Sequence, residues 1–130
     1  MKISGQGRGE ENCFMGMDCG EHAHIVILPV PFDKTSSYES GSHKGPIAII
    51  NAFRNIEFYD LETDTVPYRD DIHTAQPVKS GESFDMIEKV YAECKRLLQR
   101  GKFIVTLGGE HTISIGAIKA HAEHFGSLSI

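Results

Sequence analysis

Two short apolar runs constrain the fold of this 130-residue chain more than any other feature. They are Ala23 to Val30 (AHIVILPV) and Lys102 to Leu107 (KFIVTL). Each is an almost continuous stretch of aliphatic and β-branched side chains, which is typical of a strand buried on both faces of a sheet. Both runs lead into glycine-rich or polar segments, where strands usually end.

Helical patterns occur between and after these runs. A Gly-Pro pair at Pro46 opens an apolar stretch that ends at Phe53, and proline suits the first turn of a helix because its missing N–H has no intrahelical partner there. A longer helix is predicted from Ser83 to Arg100, with Gly101 as its stop. Its apolar stripe consists of Phe84, Ile87, Val90, Tyr91, Cys94, Leu97 and Leu98. A third helix is predicted from Ser114 to Phe125.

Two weaker strand signals complete the order. Ile56 to Asp60 is predicted as a short strand before an acidic, turn-prone region that reaches Pro77, and Ser127 to Ile130 begins another apolar run. Strands that alternate with helices predict an α/β fold with a parallel sheet. We divide the chain into an N-terminal arm, residues 1–22, which is rich in glycine and polar side chains, and an α/β domain, residues 23–130.

Composition excludes several classes of protein. The net charge of −5 gives no electrostatic reason to expect nucleic acid as a partner, since phosphate binding favours a basic face. No apolar run approaches the roughly 20 residues that span a membrane, and the first residues lack the apolar core of a secretory signal. The three cysteines form no paired pattern, which predicts a reduced, cytoplasmic setting.

Ligands of parallel α/β sheets bind at the carboxyl ends of the strands, so the loops after the two apolar runs are the candidate sites. After the second run, Gly108 and Gly109 allow a sharp turn that presents His111 at the edge of the sheet. An imidazole there can bind a first-row metal, with Glu110 and Thr112 orienting it. Two alternatives are open: the histidine only caps the next helix, or the glycines cradle a phosphate, although the spacing of known phosphate loops is absent.

The second candidate is the polar loop from Pro31 to Lys44, after the first run. Asp33, Ser37, Ser40 and His43 supply hydrogen-bonding groups that are suited to lining a polar substrate pocket. The alternative is an ordinary surface connection. The length of the loop favours function, because connections of this kind are usually shorter.

Three segments together resemble the ureohydrolase (arginase/agmatinase) family. Leu107 to Ser114 (LGGEHTIS) resembles the family's first metal-binding signature, and Val30 to Ile49 (VPFDKTSSYESGSHKGPIAI) resembles its N-terminal loop and the helix after it. FRNIEFYDLE is similar to the agmatinase-type continuation. The resemblance implies a three-layer α/β/α sandwich around a parallel sheet, of which this chain holds the N-terminal portion.

The resemblance also implies a function. The family hydrolyses guanidinium groups and releases urea, with a water activated by two manganese ions. An agmatinase-like member converts agmatine to putrescine and urea in polyamine biosynthesis and forms trimers or hexamers. His111 would be a manganese ligand presented by Gly108 and Gly109, while Glu110 stands where many relatives carry Asp. All other metal ligands of the family would lie after Ile130, so this chain alone is expected to be inactive.

Several functional alternatives stay open. Within the family they are arginase, guanidinobutyrase and formimidoylglutamase, because substrate selectivity depends partly on segments that would follow this chain. A second class is a non-catalytic interaction protein that keeps the family's loops. A third is a small nucleotide-binding domain that uses Gly108 and Gly109.

Overall fold

The computed structural model describes residues 13–16, 20–66 and 71–129. In this part of the chain strands and α-helices alternate, as predicted. The elements are β1 (Ile25–Val30), α1 (Gly45–Phe53), β2 (Ile72–Thr74), α2 (Ser83–Gln99), β3 (Phe103–Gly108) and α3 (Ile113–Phe125). Most of the predicted N-terminal arm lies outside the described residues, which include only 13–16 and 20–22 of it.

The three strands form one parallel sheet in the order β2-β1-β3. Ile25 of the central strand is aligned with Ile72 of β2 and with Phe103 of β3, and the pairing with β3 continues over all six residues of β1. β1 is buried on both faces, which is the environment that its uninterrupted apolar sequence predicts. The parallel sheet is thereby confirmed.

The position of the second strand differs from the prediction. Ile56 to Asp60 is not a strand: Asp60 forms only an isolated bridge with Thr65, and the apolar side chains of this segment are exposed. The strand is Ile72–Thr74, where the Ile25 N–H donates to the Asp71 carbonyl at 3.0 Å to start the pairing.

Pro29 of β1 limits the length of β2. A strand this short has little recognisable pattern in the sequence. Odd-numbered residues of β1 direct their backbone groups towards β2, and Pro29 is one of them. Since proline has no N–H, it cannot continue this side of the ladder. After Thr74 the Pro29 carbonyl accepts only from the Val78 N–H, at 2.9 Å, once the chain has already left the sheet.

Helices α2 and α3 cover one face of the sheet and form the main core. The core combines alternate residues of β1 with the inner faces of both helices. Its fully buried members are Leu28, Val30, Met86, Val90 and Cys94. The predicted stripe of α2 is correct except at its start, where Phe84 is 76% exposed and Met86 is 0% exposed. At about 100° per residue, Phe84 lies on the flank of the helix, whereas Met86 is aligned with Val90 and Cys94.

Helix α1 lies on the opposite face of the sheet, which gives three layers. It is absent from the main core, and its buried Ile50 shares a cavity wall with Pro29, whose side chain points away from α2. Residues 13–16 pack beside it: the Phe14 ring lies 4.4 Å from that of Phe53, and the Phe14 N–H donates to Thr74 Oγ1 at 2.8 Å. The described part of the arm therefore contacts both α1 and β2.

The outer edge of β3 has no neighbouring strand among the described residues. The Phe103 N–H donates to the His24 carbonyl and the Gly109 N–H to the Val30 carbonyl, so the backbone groups of Ile104, Thr106 and Gly108 point away from β1. Residues 127–129 do not form the strand predicted there, and Ile130 lies outside the described residues. None of the described helices has the length and apolar character needed to cross a membrane.

Candidate functional site

The two candidate loops meet at the carboxyl edge of the sheet, because β1 and β3 are parallel neighbours. The Gly109 N–H donates to the Val30 carbonyl at 3.3 Å, and the Glu110 N–H donates to the Phe32 carbonyl at 3.1 Å. A Cβ atom at position 109 would lie 2.0 Å from the Phe32 oxygen. Only glycine allows this approach of the two backbones, so the second glycine of the pair is required for the loops to join.

His111 lies directly after this junction and before α3. Its carbonyl accepts hydrogen bonds from the Ser114 N–H at 3.0 Å and from the Ser114 hydroxyl at 2.7 Å, which fixes its backbone to the first turn of the helix. The residue is exposed. The structure thus places an accessible imidazole on a backbone held by a strand on one side and a helix on the other.

Glu110 connects the turn of His111 to the loop after β1. Its carboxylate accepts from the Thr35 N–H at 3.1 Å and from the Thr35 hydroxyl, and Thr35 Oγ1 lies 3.0 Å from Thr112 Oγ1. Thr35 was not among the predicted site residues. The contact joins residues 75 positions apart, and a single sequence carries no signal for such a pairing.

Asp33 and His43, which were both predicted as site residues, come together within the Pro31–Lys44 loop. Asp33 Oδ2 lies 2.6 Å from His43 Nδ1 and accepts from the backbone N–H groups of Gly41 and His43, at 2.6 and 3.2 Å. The hydrogen bond from His43, with that from Gly41, lowers the pKa of the Asp33 carboxyl from 3.8 to about 2. The carboxylate is therefore ionised at neutral pH. Its hydrogen bonds with Gly41 and His43 connect the beginning of the loop to its end.

Ser37 and Ser40 are exposed on the outer part of the same loop. A cavity of about 200 Å³ lies between α1 and the ends of β1 and β2, and of the predicted site residues His43 alone lines it. Cys13, Pro46, Ile50 and Thr74 are among its other walls. The structure thus brings His43 to an apolar cavity and leaves the two serines facing solvent.

Metal binding requires more ligands than the described residues bring together. Across residues 13–16, 20–66 and 71–129, no three His, Cys, Asp or Glu side chains are grouped closely enough to hold an ion. His111 has the chemistry of one ligand and belongs to no such group in this part of the chain. Burial raises the pKa of the Cys94 thiol to about 11, and metals and electrophiles react with the thiolate, so this cysteine has a structural role in the core.

Comparison with known proteins gives one consistent result. The profile of the arginase family matches residues 23–130. The N(1)-aminopropylagmatine ureohydrolase of Thermus thermophilus is 37% identical over 112 residues, which cover 85% of this chain and 38% of the relative. The crystal structure of the agmatine ureohydrolase of Thermoplasma volcanium matches with a TM-score of 0.70 and 31% identity, over 75% of this chain and 34% of that one.

A third comparison extends the fold to a more distant protein. Trypanosoma cruzi formiminoglutamase, solved with Mn²⁺, matches with a TM-score of 0.74 at 24% identity, over 81% of this chain and 37% of that one. At this identity the likeness concerns the fold alone. In all three comparisons the chain spans less than two fifths of the length of the protein that it matches.

Proposed function

The chain belongs to the arginase family, and from that premise we propose that it forms the N-terminal part of a ureohydrolase that releases urea from a guanidino compound. The observation that supports this most is the exposed His111, which follows the Gly108-Gly109 turn at the carboxyl end of β3. In a parallel sheet this is the edge at which ligands bind. An agmatinase-like hydrolase is the specific activity that we propose.

We propose manganese as the cofactor of the complete protein. His111 would contribute one imidazole ligand, and the remaining ligands would come from outside the described residues. When bound, manganese lowers the pKa of a coordinated water and so supplies a nucleophile at neutral pH.

The Pro31–Lys44 loop is the part of the chain that we propose meets the substrate. Its Asp33 carboxylate is ionised at neutral pH, since its pKa is about 2. A guanidinium cation is attracted to a fixed negative charge near the site. His43 is hydrogen-bonded to Asp33 and lines the cavity beside α1, so it lies between this loop and the cavity.

Two substrates are candidates. Agmatine is favoured by the agmatinase-like segments of the sequence and by the likeness to the agmatine ureohydrolase of Thermoplasma volcanium. N(1)-aminopropylagmatine is favoured by the 37% identity to the ureohydrolase of Thermus thermophilus. Putrescine would be the second product from agmatine. A homo-oligomer, trimeric or hexameric, and a cytoplasmic location belong to the same proposal.

The test is a urea-release assay with the complete product of the gene and added Mn²⁺. We expect urea from agmatine or N(1)-aminopropylagmatine, and much less from arginine and guanidinobutyrate. Formiminoglutamate is followed by release of formamide, because its formimino group cannot yield urea, and we expect little of that product. Residues 1–130 alone should release no urea above a buffer control, because one imidazole cannot hold a two-metal centre.

Three results would contradict the proposal. Release of urea from residues 1–130 alone would contradict the need for further ligands. Preference for one of the three other substrates would move the protein to another activity in the family. A complete gene product that binds neither Mn²⁺ nor any of these substrates would favour the non-catalytic interaction protein.

A further inference from the structure

Glu110 is the residue whose position the family resemblance does not explain. It precedes His111, yet its side chain turns back from the β3–α3 turn to the loop after β1. There it accepts two hydrogen bonds from one residue, the N–H and the hydroxyl of Thr35. The Thr35 hydroxyl also lies 3.0 Å from that of Thr112, so side chains on both sides of His111 reach the same threonine.

Backbone bonds alone do not hold the two loops together beyond their first residues. The last of them joins the Glu110 N–H to the Phe32 carbonyl. Past this point the β1 loop turns outward, with Lys34 exposed and Thr35 held by the Glu110 side chain. Asp33 organises the rest of the loop internally, through Gly41 and His43. The contacts of Thr35 with Glu110 and Thr112 are therefore the side-chain link between that internally ordered loop and the turn of His111.

We propose that Glu110 is a positioning residue, whose carboxylate clamps Thr35 and so holds the Asp33–His43 loop beside His111. This inference rests on the proposed function, since it assigns the clamped loop to the substrate and His111 to the metal. Glutamine at position 110 keeps an oxygen that can accept both bonds from Thr35. Aspartate is one methylene shorter and would not reach Thr35 without a shift of the loop.

The first measurement is amide hydrogen exchange at Thr35, followed by NMR on the ¹⁵N-labelled chain. Loss of a hydrogen bond to a charged acceptor in Glu110→Ala should speed exchange of the Thr35 amide roughly tenfold. Glu110→Gln, which keeps a neutral acceptor, should be intermediate, about threefold faster than the wild type. Glu39→Ala, which removes an exposed glutamate from the same loop, is the matched control and should leave the Thr35 amide unchanged.

The second measurement reports position. In the complete gene product, added Mn²⁺ is paramagnetic and should broaden the ring signals of His111 and, in the wild type, the nearby Thr35 amide signal. In Glu110→Ala the broadening at His111 should persist while that at Thr35 weakens, and Glu110→Gln should restore it. If Glu110 only stabilised the fold, its removal would change the broadening at His111 and at Thr35 together.

Several outcomes would overturn the clamp. They are an unchanged Thr35 amide in Glu110→Ala, equal effects of the Ala and Gln variants, or equal loss of broadening at Thr35 and His111. If Glu110→Ala does not fold, Glu110→Asp keeps the charge but shortens the side chain. The clamp then predicts faster exchange of the Thr35 amide in this variant, and unchanged exchange overturns it. Absence of broadening at His111 in the wild type would instead contradict the proposed metal role, while the exchange measurement still tests the clamp.

Discussion

At the scale of single residues, Asp33 shows how one side chain can order a long polar loop. One of its oxygen atoms contacts the backbone N–H groups of Gly41 and His43 and the His43 ring. Three donors on a single carboxylate oxygen favour the ionised form, which is why the pKa of Asp33 is depressed. Beyond the buried Phe32, the loop after β1 is thus ordered by the charge of Asp33.

This arrangement predicts a loop that comes apart in acid. The pKa of Asp33 falls from 3.8 to about 2 on folding, so its contribution to loop stability is present above pH 3.8 and is lost as the pH falls towards 2. The exchange rate of the Gly41 amide, measured by NMR across this range, should rise as the pH falls, after correction for intrinsic exchange. In Asp33→Asn the amide should exchange fast throughout. A wild-type Gly41 amide that stays protected at pH 2 would contradict this account.

At the scale of elements, α2 and α3 are held together by close backbone contact. A Cβ atom at Gly116 of α3 would lie 2.4 Å from the Ile87 carbonyl oxygen and 2.8 Å from the Tyr91 nitrogen, both in the backbone of α2. Around this contact, Tyr91 donates to Glu123 at 2.6 Å, and Lys119 lies 4.3 Å from the centre of the Tyr91 ring. The small residue sets the distance between the helices, and the polar contacts surround it.

Gly116→Ala should therefore destabilise the chain. Because the clash is with backbone, the helices must separate, and overpacking of this kind costs about 1–3 kcal/mol. Gly81→Ala is the matched control, since a Cβ atom there meets nothing within 4 Å, and its effect should be neutral or stabilising by up to about 1 kcal/mol. Urea denaturation of the three proteins tests this. Equal midpoints for Gly116→Ala and the wild type would contradict the packing.

The elements with strong local signals were predictable from sequence, and those defined by tertiary contact were not. β1, β3 and all three helices were expected within a few residues of their observed bounds. β2 was misplaced because three residues carry too little pattern, and because it is defined by hydrogen bonds to a distant strand. The start of the α2 stripe was misjudged at Phe84 for a similar reason, since an apolar side chain at near-helical spacing need not face the sheet.

The candidate site likewise combines features that were predictable from sequence with features that depend on tertiary contacts. The sequence predicted each loop at the carboxyl end of a strand, but the meeting of the two loops depends on the pairing of β1 with β3, which are not consecutive in the chain. The pairing of Asp33 with His43 spans ten positions and lies inside one loop. The Glu110–Thr35 contact depends on the register of β1 against β3, and sequence patterns do not specify a register between parallel strands so far apart.

At the scale of the whole molecule, the backbone groups of the sheet are unevenly hydrogen-bonded among the described residues. β1 has a neighbour on each side, whereas β3 directs the backbone groups of Ile104, Thr106 and Gly108 away from β1, where no described strand lies. Amide exchange of residues 1–130 should therefore be slowest in β1 and fast at these three positions, with Val105 and Leu107 between. Uniform protection along β3 would show that its outer edge is covered, either by residues outside the described part of the chain or by a second copy.

His111 is the proposed metal ligand of a ureohydrolase. The most direct test is the manganese content and urea release of the complete gene product, compared between the wild type, His111→Ala and His124→Ala. His124 is an exposed histidine on α3 whose ring packs against Phe125, so it controls for loss of a surface imidazole. His111→Ala should lose bound manganese and more than about 100-fold of its urea release, while His124→Ala keeps both. Equal manganese and equal turnover in all three proteins would contradict the account.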